Sequence, residues 1–172
     1  MPMTPFMEKF PELGRRETRS LLVTPGNDLP AGEYGYIEFY CNEPGCDCRR
    51  VTICVMRPDT GWSKIWATIG YGWESPDFYK QWSAASDPIE MQGPCLDSFN
   101  AQTKYSSVLL DLFRVVLQSP DYVERLKRHY RMFRDSLELE QRNGRPHSPE
   151  TNRLANKRRR LRDPKRRRRR SR

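Results

Sequence analysis

The spacing of apolar side chains changes twice along this chain, and each change marks a different kind of element. From Glu33 to Cys41 the sequence is rich in Tyr, Ile and Phe. Tyr34, Tyr36 and Tyr40 fall on one face of an extended chain and Ile37, Phe39 and Cys41 on the other, which predicts a strand. Val51–Met56 repeats the period of two through Val51, Ile53 and Val55. Asp59-Thr60-Gly61 then turns the chain into a third extended run, Trp62–Tyr71. A shorter run, Arg19–Val23, precedes the turn cluster Pro25–Asp28. Consecutive strands with short connections predict an antiparallel meander.

The period then lengthens. Ser75-Pro76-Asp77 combines a capping residue, a proline suited to the first helical position and an acid that complements the positive end of the helix dipole. The short helix it opens would present Phe78, Tyr79 and Trp82, and a loop with Pro88, Gly93 and Pro94 follows. Tyr105, Val108, Leu109, Leu112, Phe113, Val116 and Leu117 form an amphipathic helical stripe. Ser119-Pro120-Asp121 repeats the start signal for a second helix, with Val123, Leu126, Tyr130, Phe133 and Leu137 on one face and Asn143-Gly144 as its stop. These two helices predict a hairpin covering one sheet face. The expected fold is therefore α+β: a small antiparallel β-meander, then a short helix and a helical hairpin packed on the sheet. Residues 1–15, with three prolines, read as an irregular N-terminal arm; residues 16–142 form the α+β domain; residues 143–172 form a disordered, Arg-rich tail.

Charge separates the last two segments. The 172 residues carry a formal net charge of +9. Residues 143–172 hold 14 Lys/Arg against two acids, so the remainder is slightly acidic. Lys157, Arg158, Arg159, Arg160, Arg162, Lys165, Arg166, Arg167, Arg168, Arg169, Arg170 and Arg172 crowd into the final 16 positions. Such a run attracts RNA, DNA or anionic lipid through counterion release, without reading bases because it has no aromatics. In a eukaryote it would also suit nuclear localisation.

No apolar run approaches the roughly 18 residues of a membrane span, and Pro, Glu and Lys interrupt the apolar residues of the N-terminus, unlike a signal peptide. A reducing, cytoplasmic setting is the expectation. There, five cysteines are thiols or metal ligands rather than disulfides.

The most specific chemical feature is Cys41-Asn-Glu-Pro-Gly-Cys46-Asp-Cys48, a C-x4-C-x-C cluster. Glu43-Pro44-Gly45-Cys46 matches a type II turn, which places the cluster at the tip between two strands. Cys46 and Cys48 can then face one way while Cys41 closes from the opposite strand, a convergence suited to zinc. Cys95, in a Gly-Pro-Cys loop, is the first choice of fourth ligand, with Asp47, His129 or water as substitutes. Cys54 lies six strand residues from Cys48, about 20 Å away, and reads as core. The alternatives are a thiol-rich turn without metal, or a redox pair using Cys46 or Cys48. Arg49 and Arg50 adjoin the cluster and read as strand-edge charges, although they are placed to lower a thiol pKa.

Other chemistry is thinly represented. Trp62, Trp66, Tyr71, Trp73, Phe78, Tyr79 and Trp82 at strand and short-helix spacing read as core more than as a base-stacking platform. His129 stands between Arg128 and Arg131 and reads as part of a solvated face, and His147 falls in the tail. No triad order, zinc-protease motif or paired-carboxylate pattern stands out, so the sequence points away from an enzyme.

Tyr40-Cys-Asn-Glu-Pro-Gly-Cys-Asp-Cys-Arg-Arg50, Trp66-Ala-Thr-Ile-Gly-Tyr-Gly-Trp73 and Lys104-Tyr-Ser106 together are similar to uncharacterised bacterial proteins over about residues 30–137. The resemblance implies a bacterial cytosolic protein whose cysteine cluster acts as one unit, and it implies no activity. Cys46-x-Cys48 also resembles the first half of the SEC-C metal-binding motif; the closing Cys-Cys or His-Cys pair is absent, and the basic run stands in its place. The expected function is a non-catalytic, metal-stabilised binding module with non-specific nucleic-acid affinity. A thiol or redox enzyme and a protein-interaction adaptor are the alternatives.

Overall fold

The computed structural model describes residues 3–26, 28–82 and 87–144. The tail sites Lys157–Arg172 and His147 lie outside the described residues. Two units divide the chain: Met1–Glu138, and Leu139–Arg172, of which residues 139–144 are described and are helical.

The first unit is built on a six-stranded antiparallel sheet. Its strands are β1 (Met3–Pro5), β2 (Arg19–Val23), β3 (Gly32–Cys41), β4 (Arg50–Met56), β5 (Ile65–Gly72) and β6 (Cys95–Leu96). The order is β1-β3-β4-β5-β6, and β2 also pairs with β3. One edge of β3 is shared: β1 takes Phe39–Cys41 and β2 takes Gly32–Tyr36. The expected meander is β3-β4-β5.

Pairing aligns Tyr36 with Val55 and Ala67, and Glu38 with Ile53 and Ile69. Side chains of these rows share a face. That face is covered by α5 (Ser106–Val116) and α6 (Pro120–Gly144), the helical hairpin read from the sequence. From α5 come Leu109, Leu110, Phe113 and Val116; from α6 come Tyr122, Leu126, Tyr130, Phe133 and Leu137, all buried. Phe113 is fully buried, with its ring centroid 5.3 Å from Tyr36 and 6.2 Å from both Tyr71 and Tyr122. It therefore joins the two helices to β3 and β5.

Residues 1–15 are not an irregular arm over their described part. They hold β1, α1 (Phe6–Lys9) and the start of α2 (Pro11–Glu17). The prolines that suggested irregularity sit where helices accept them: Pro5 is the residue before α1, and Pro11 opens α2. Phe6 is 2% exposed and anchors this segment in the core.

Three local expectations shift. The strand predicted from Trp62 begins at Ile65, because Gly61 and Trp62 take left-handed φ values of 63° and 58° after a 3-10 turn at Pro58–Thr60. The helix α3 (Pro76–Tyr79) starts where Ser75-Pro76 predicts. Ser75 offers its carbonyl to the Phe78 N–H at 3.0 Å and makes no side-chain cap. The loop around Pro88 contains α4 (Pro88–Gln92), whose N-cap Asp87 accepts the Ile89 N–H at 2.7 Å.

Replacing Phe113 with Ala removes a side chain held by both helices and two strands. It is expected to lower unfolding stability by about 3–5 kcal/mol. Urea denaturation checks this as a fall in midpoint at unchanged slope.

Candidate metal centre

The β3–β4 connection carries the cysteine cluster. Gly45 has φ 72° and the Cys46 N–H donates to the Glu43 carbonyl at 3.3 Å, as the sequence-predicted type II turn requires. Arg49 then takes φ 46°, a left-handed value that redirects the chain into β4 at Arg50. Cys46 and Cys48 consequently lie in the connection rather than on the strand.

These two bends bring three sulfurs together. The thiols of Cys41, Cys46 and Cys48 lie within 4.8 Å of one another. Sulfurs sharing one zinc at about 2.3 Å stand at most about 4.6 Å apart, so small side-chain rotations close the set. Cys41 and Cys48 are buried and Cys46 is half-buried. The Glu43 N–H donates to Cys41 Sγ at 3.4 Å, an interaction that also favours a thiolate there.

The connection is fixed from α6. Arg134 Nη1 donates to the carbonyls of Glu43 at 3.0 Å and Cys41 at 3.3 Å. The Tyr130 hydroxyl donates to Asp47 Oδ1 at 3.1 Å and accepts the Arg49 N–H at 3.3 Å. Arg49 reaches Asp47 at 2.9 Å and Glu74 at 3.3 Å, and lies over the Phe78 ring. Asp47, first among the substitute ligands, is thus committed to Arg49 and Tyr130. The hydrogen bond from Arg49 holds its carboxyl below the ordinary value, with Tyr130 and the Arg49 charge acting in the same direction.

Cys95 is not brought to the cluster. It pairs with Gly70 in β6, two strands from β4, and its thiol donates to the Glu90 carbonyl at 3.0 Å. The freedom that a Gly-Pro-Cys loop suggested is removed by that pairing. Cys54 is buried on β4 and outside the group, in keeping with its reading as core.

His129 is neither a ligand here nor part of a solvated face. It is 1% exposed, with Nδ1 2.7 Å from Glu38 Oε2 and Nε2 3.1 Å from Glu17 Oε2. The flanking Arg128 and Arg131 concealed this. The signal that reveals it is helical spacing: Tyr122, Leu126, His129 and Phe133 recur at three and four residues, on the buried stripe of α6.

Burial pushes the Cys48 thiol up to about 12, with the neighbouring charges of Cys46 and Cys41 adding to it. Burial likewise raises Cys41. Arg49 and Arg50 therefore do not activate these two thiols. Arg49 is committed to carboxylates, and Arg50 exerts its field at Cys95. A cation bound by all three sulfurs would reverse the balance, since it offsets the mutual repulsion of thiolates packed this closely.

Comparison with known proteins finds no matching family model, curated protein or solved structure. Among the described residues, this trio is the group of His, Cys, Asp and Glu side chains placed to hold a metal ion, and no helix is long and apolar enough to cross a membrane.

The raised Cys48 value carries a pH dependence. In the unfolded chain this thiol ionises near 9, whereas in the folded metal-free protein it keeps its proton to about 12. Its contribution to stability is therefore complete below pH 9 and is lost as pH rises toward 12. Cys48→Ala is expected to reduce the slope of the alkaline stability loss, measured by urea unfolding of metal-free protein across that range. An unchanged slope would remove Cys48 as its source.

Proposed function

We propose that this protein is a non-catalytic binding module whose β3–β4 hairpin is fixed by a thiolate-bound zinc ion and whose C-terminal basic run attracts RNA or DNA without sequence preference. The observation that carries the metal reading is the convergence of Cys41, Cys46 and Cys48 to within 4.8 Å at a left-handed turn braced by Arg134 and Tyr130. Zinc is favoured by the ligand chemistry: three sulfurs, no redox requirement and a small tetrahedral demand. The fourth position falls to water or to a donor outside this trio, in place of Cys95.

The nucleic-acid half of the reading is supported by charge. Twelve cationic side chains in residues 157–172 follow a domain of slight net negative charge, so polyanion affinity would reside in the tail. A cytoplasmic, reducing setting suits free thiols awaiting metal.

A thiol or redox enzyme using Cys46 or Cys48 is the second reading, and at Cys48 the site chemistry weighs against it. Reactive cysteines have lowered pKa values and partial exposure, whereas Cys48 and Cys41 are buried and shifted upward.

Elemental mass spectrometry on protein purified without chelator is expected to find about one zinc per chain, and none in Cys46→Ser/Cys48→Ser. Absence of metal from both would overturn the metal reading. Separately, the full chain is expected to bind RNA and DNA with an affinity that falls steeply with salt, and a chain ending at Asn143 to lose that binding. Retained binding by the shortened chain would exclude the tail as its source.

A further inference from the structure

The buried polar cluster around His129 lies apart from the cysteine trio and has no part in the function proposed above. Its ring is stacked on Phe6, with centroids 4.1 Å apart and planes at 9°. Nδ1 faces Glu38 of β3 and Nε2 faces Glu17 of α2. A neutral imidazole has one N–H and one lone pair, while ionised carboxylates only accept. Two carboxylates on two ring nitrogens are therefore both satisfied only when the cluster of His129, Glu38 and Glu17 holds one proton more than a neutral imidazole and two free carboxylates. With both ring nitrogens donating, Nδ1–H to Glu38 and Nε2–H to Glu17, that proton makes the ring an imidazolium.

The surrounding charges make the extra proton matter. Glu38 is 6% exposed; its other contact is the Tyr40 hydroxyl, which donates to it at 2.9 Å and stands 3.0 Å from the Leu126 carbonyl. Glu17 meets Arg128 of α6, and Arg16 of its own helix at 3.8 Å. Arg128 also lies 3.5 Å from His129 Nε2. From α1 come Phe6 and Met7, while Lys9 is turned over the Phe133 ring. Arg125 of α6 and Arg19 of β2 stand beyond Tyr122, on which Glu38 also acts. Glu17 thus has arginines besides the imidazole, whereas Glu38, the more deeply buried carboxylate, has His129 as its cationic contact. Without the extra proton, Glu38 is a buried charge without a counter-ion in contact, and Nε2 or Nδ1 turns a lone pair on a carboxylate.

The element held by this cluster is the N-terminal segment. Gly14 of α2 is packed so closely on Met7 of α1 that a Cβ there would stand 2.7 Å from the Met7 Cβ, so the two short helices form one unit. Beneath them lies a cavity of about 10 Å³, lined by Phe6, Met7, Gly14, Thr18, Glu38 and His129. The seam thus holds a small void, at the lower limit of what one water fills. Beyond it, the segment is tied by the three residues of β1, by Phe6, buried edge-on against Tyr40, by the Asn42 amide, which donates to the Thr4 hydroxyl at 2.9 Å, and by the ion pair of Glu17 with Arg128.

We propose that His129 is a proton-operated clasp for residues 3–17: charged, it ties Glu17 of α2 to Glu38 of β3, and on losing its proton it releases the segment while the rest of the sheet stays folded. The edge of β3 at Phe39–Cys41, covered by β1, is thereby uncovered at high pH.

Two measurements on the full chain test this together. Nitrogen-15 NMR of the histidine rings reports the charge on His129, with His147 as the second signal. Hydrogen exchange, corrected for the intrinsic pH dependence of exchange, reports protection of residues 3–17. The expected result is an imidazolium ring wherever the segment is protected. Protection should fall at least about tenfold in step with ring deprotonation, while β4 and β5 remain protected. In Glu17→Gln the side-chain amide can donate to a neutral ring, so the step should flatten even if His129→Gln fails to fold. The clasp is overturned by a neutral ring in a protected segment, by ring titration without loss of protection, by release only with global unfolding, or by an undiminished step in Glu17→Gln.

Discussion

The helix-facing side of β3 sets the terms for the rest of the molecule. Tyr34, Tyr36, Glu38 and Tyr40 follow one another on that face, and all are buried. Covering such a row removes a large apolar area from water, and it also strands three hydroxyls and a carboxylate where each needs a partner. Tyr34 finds the Pro30 carbonyl and Arg57; Tyr40 and Glu38 find each other, Leu126 and His129. Tyr36 keeps its hydroxyl buried without a partner among the described residues, and burial raises its pKa. Sequence-distant elements are drawn to β3 because they supply these partners along with apolar surface.

The same strand organises both chemical centres, through different edges and ends. Its core face meets the imidazole of α6, and its C-terminal residue, Cys41, begins the thiol group. Between them, α6 acts on the hairpin as well as the core: Tyr130 and Arg134 satisfy polar groups of the connection. The bend at Arg49 is held by its salt bridges to Asp47 and Glu74 and by the Tyr79 hydroxyl, which donates to the Arg49 carbonyl at 3.0 Å. A left-handed non-glycine residue needs such support, since the conformation is strained for a side chain with a Cβ.

Most of the central fold was legible because its periods are unambiguous. The alternation in β3 and β4 and the stripe of α5 specify both type and buried face, and the Glu43–Cys46 turn was readable from Pro and Gly alone. The N-terminal helices were hidden by Pro5 and Pro11, which signal a break in isolation yet sit at helix starts here. His129 was hidden by the charge of its sequence neighbours, although its spacing marked the buried stripe. Cys95 misled for a third reason. Its loop carries no signal of the two-residue pairing with Ile69 and Gly70 that holds it in the edge strand β6, two strands from β4. Local pattern reports what a residue prefers; which of several permitted neighbours it meets is decided by strands and helices far away in sequence.

Arg134 has a thermodynamic consequence. One guanidinium nitrogen joins α6 to the carbonyls of Cys41 and Glu43, so ordering the hairpin and docking this stretch of helix are not independent events. Whatever stiffens the turn reduces the entropy lost when the helix settles against it. Anything that holds the helix in place also pre-forms the turn by an equal free energy. The hairpin tip and α6 are two ends of one reciprocal coupling, and a constraint applied at either is felt at the other.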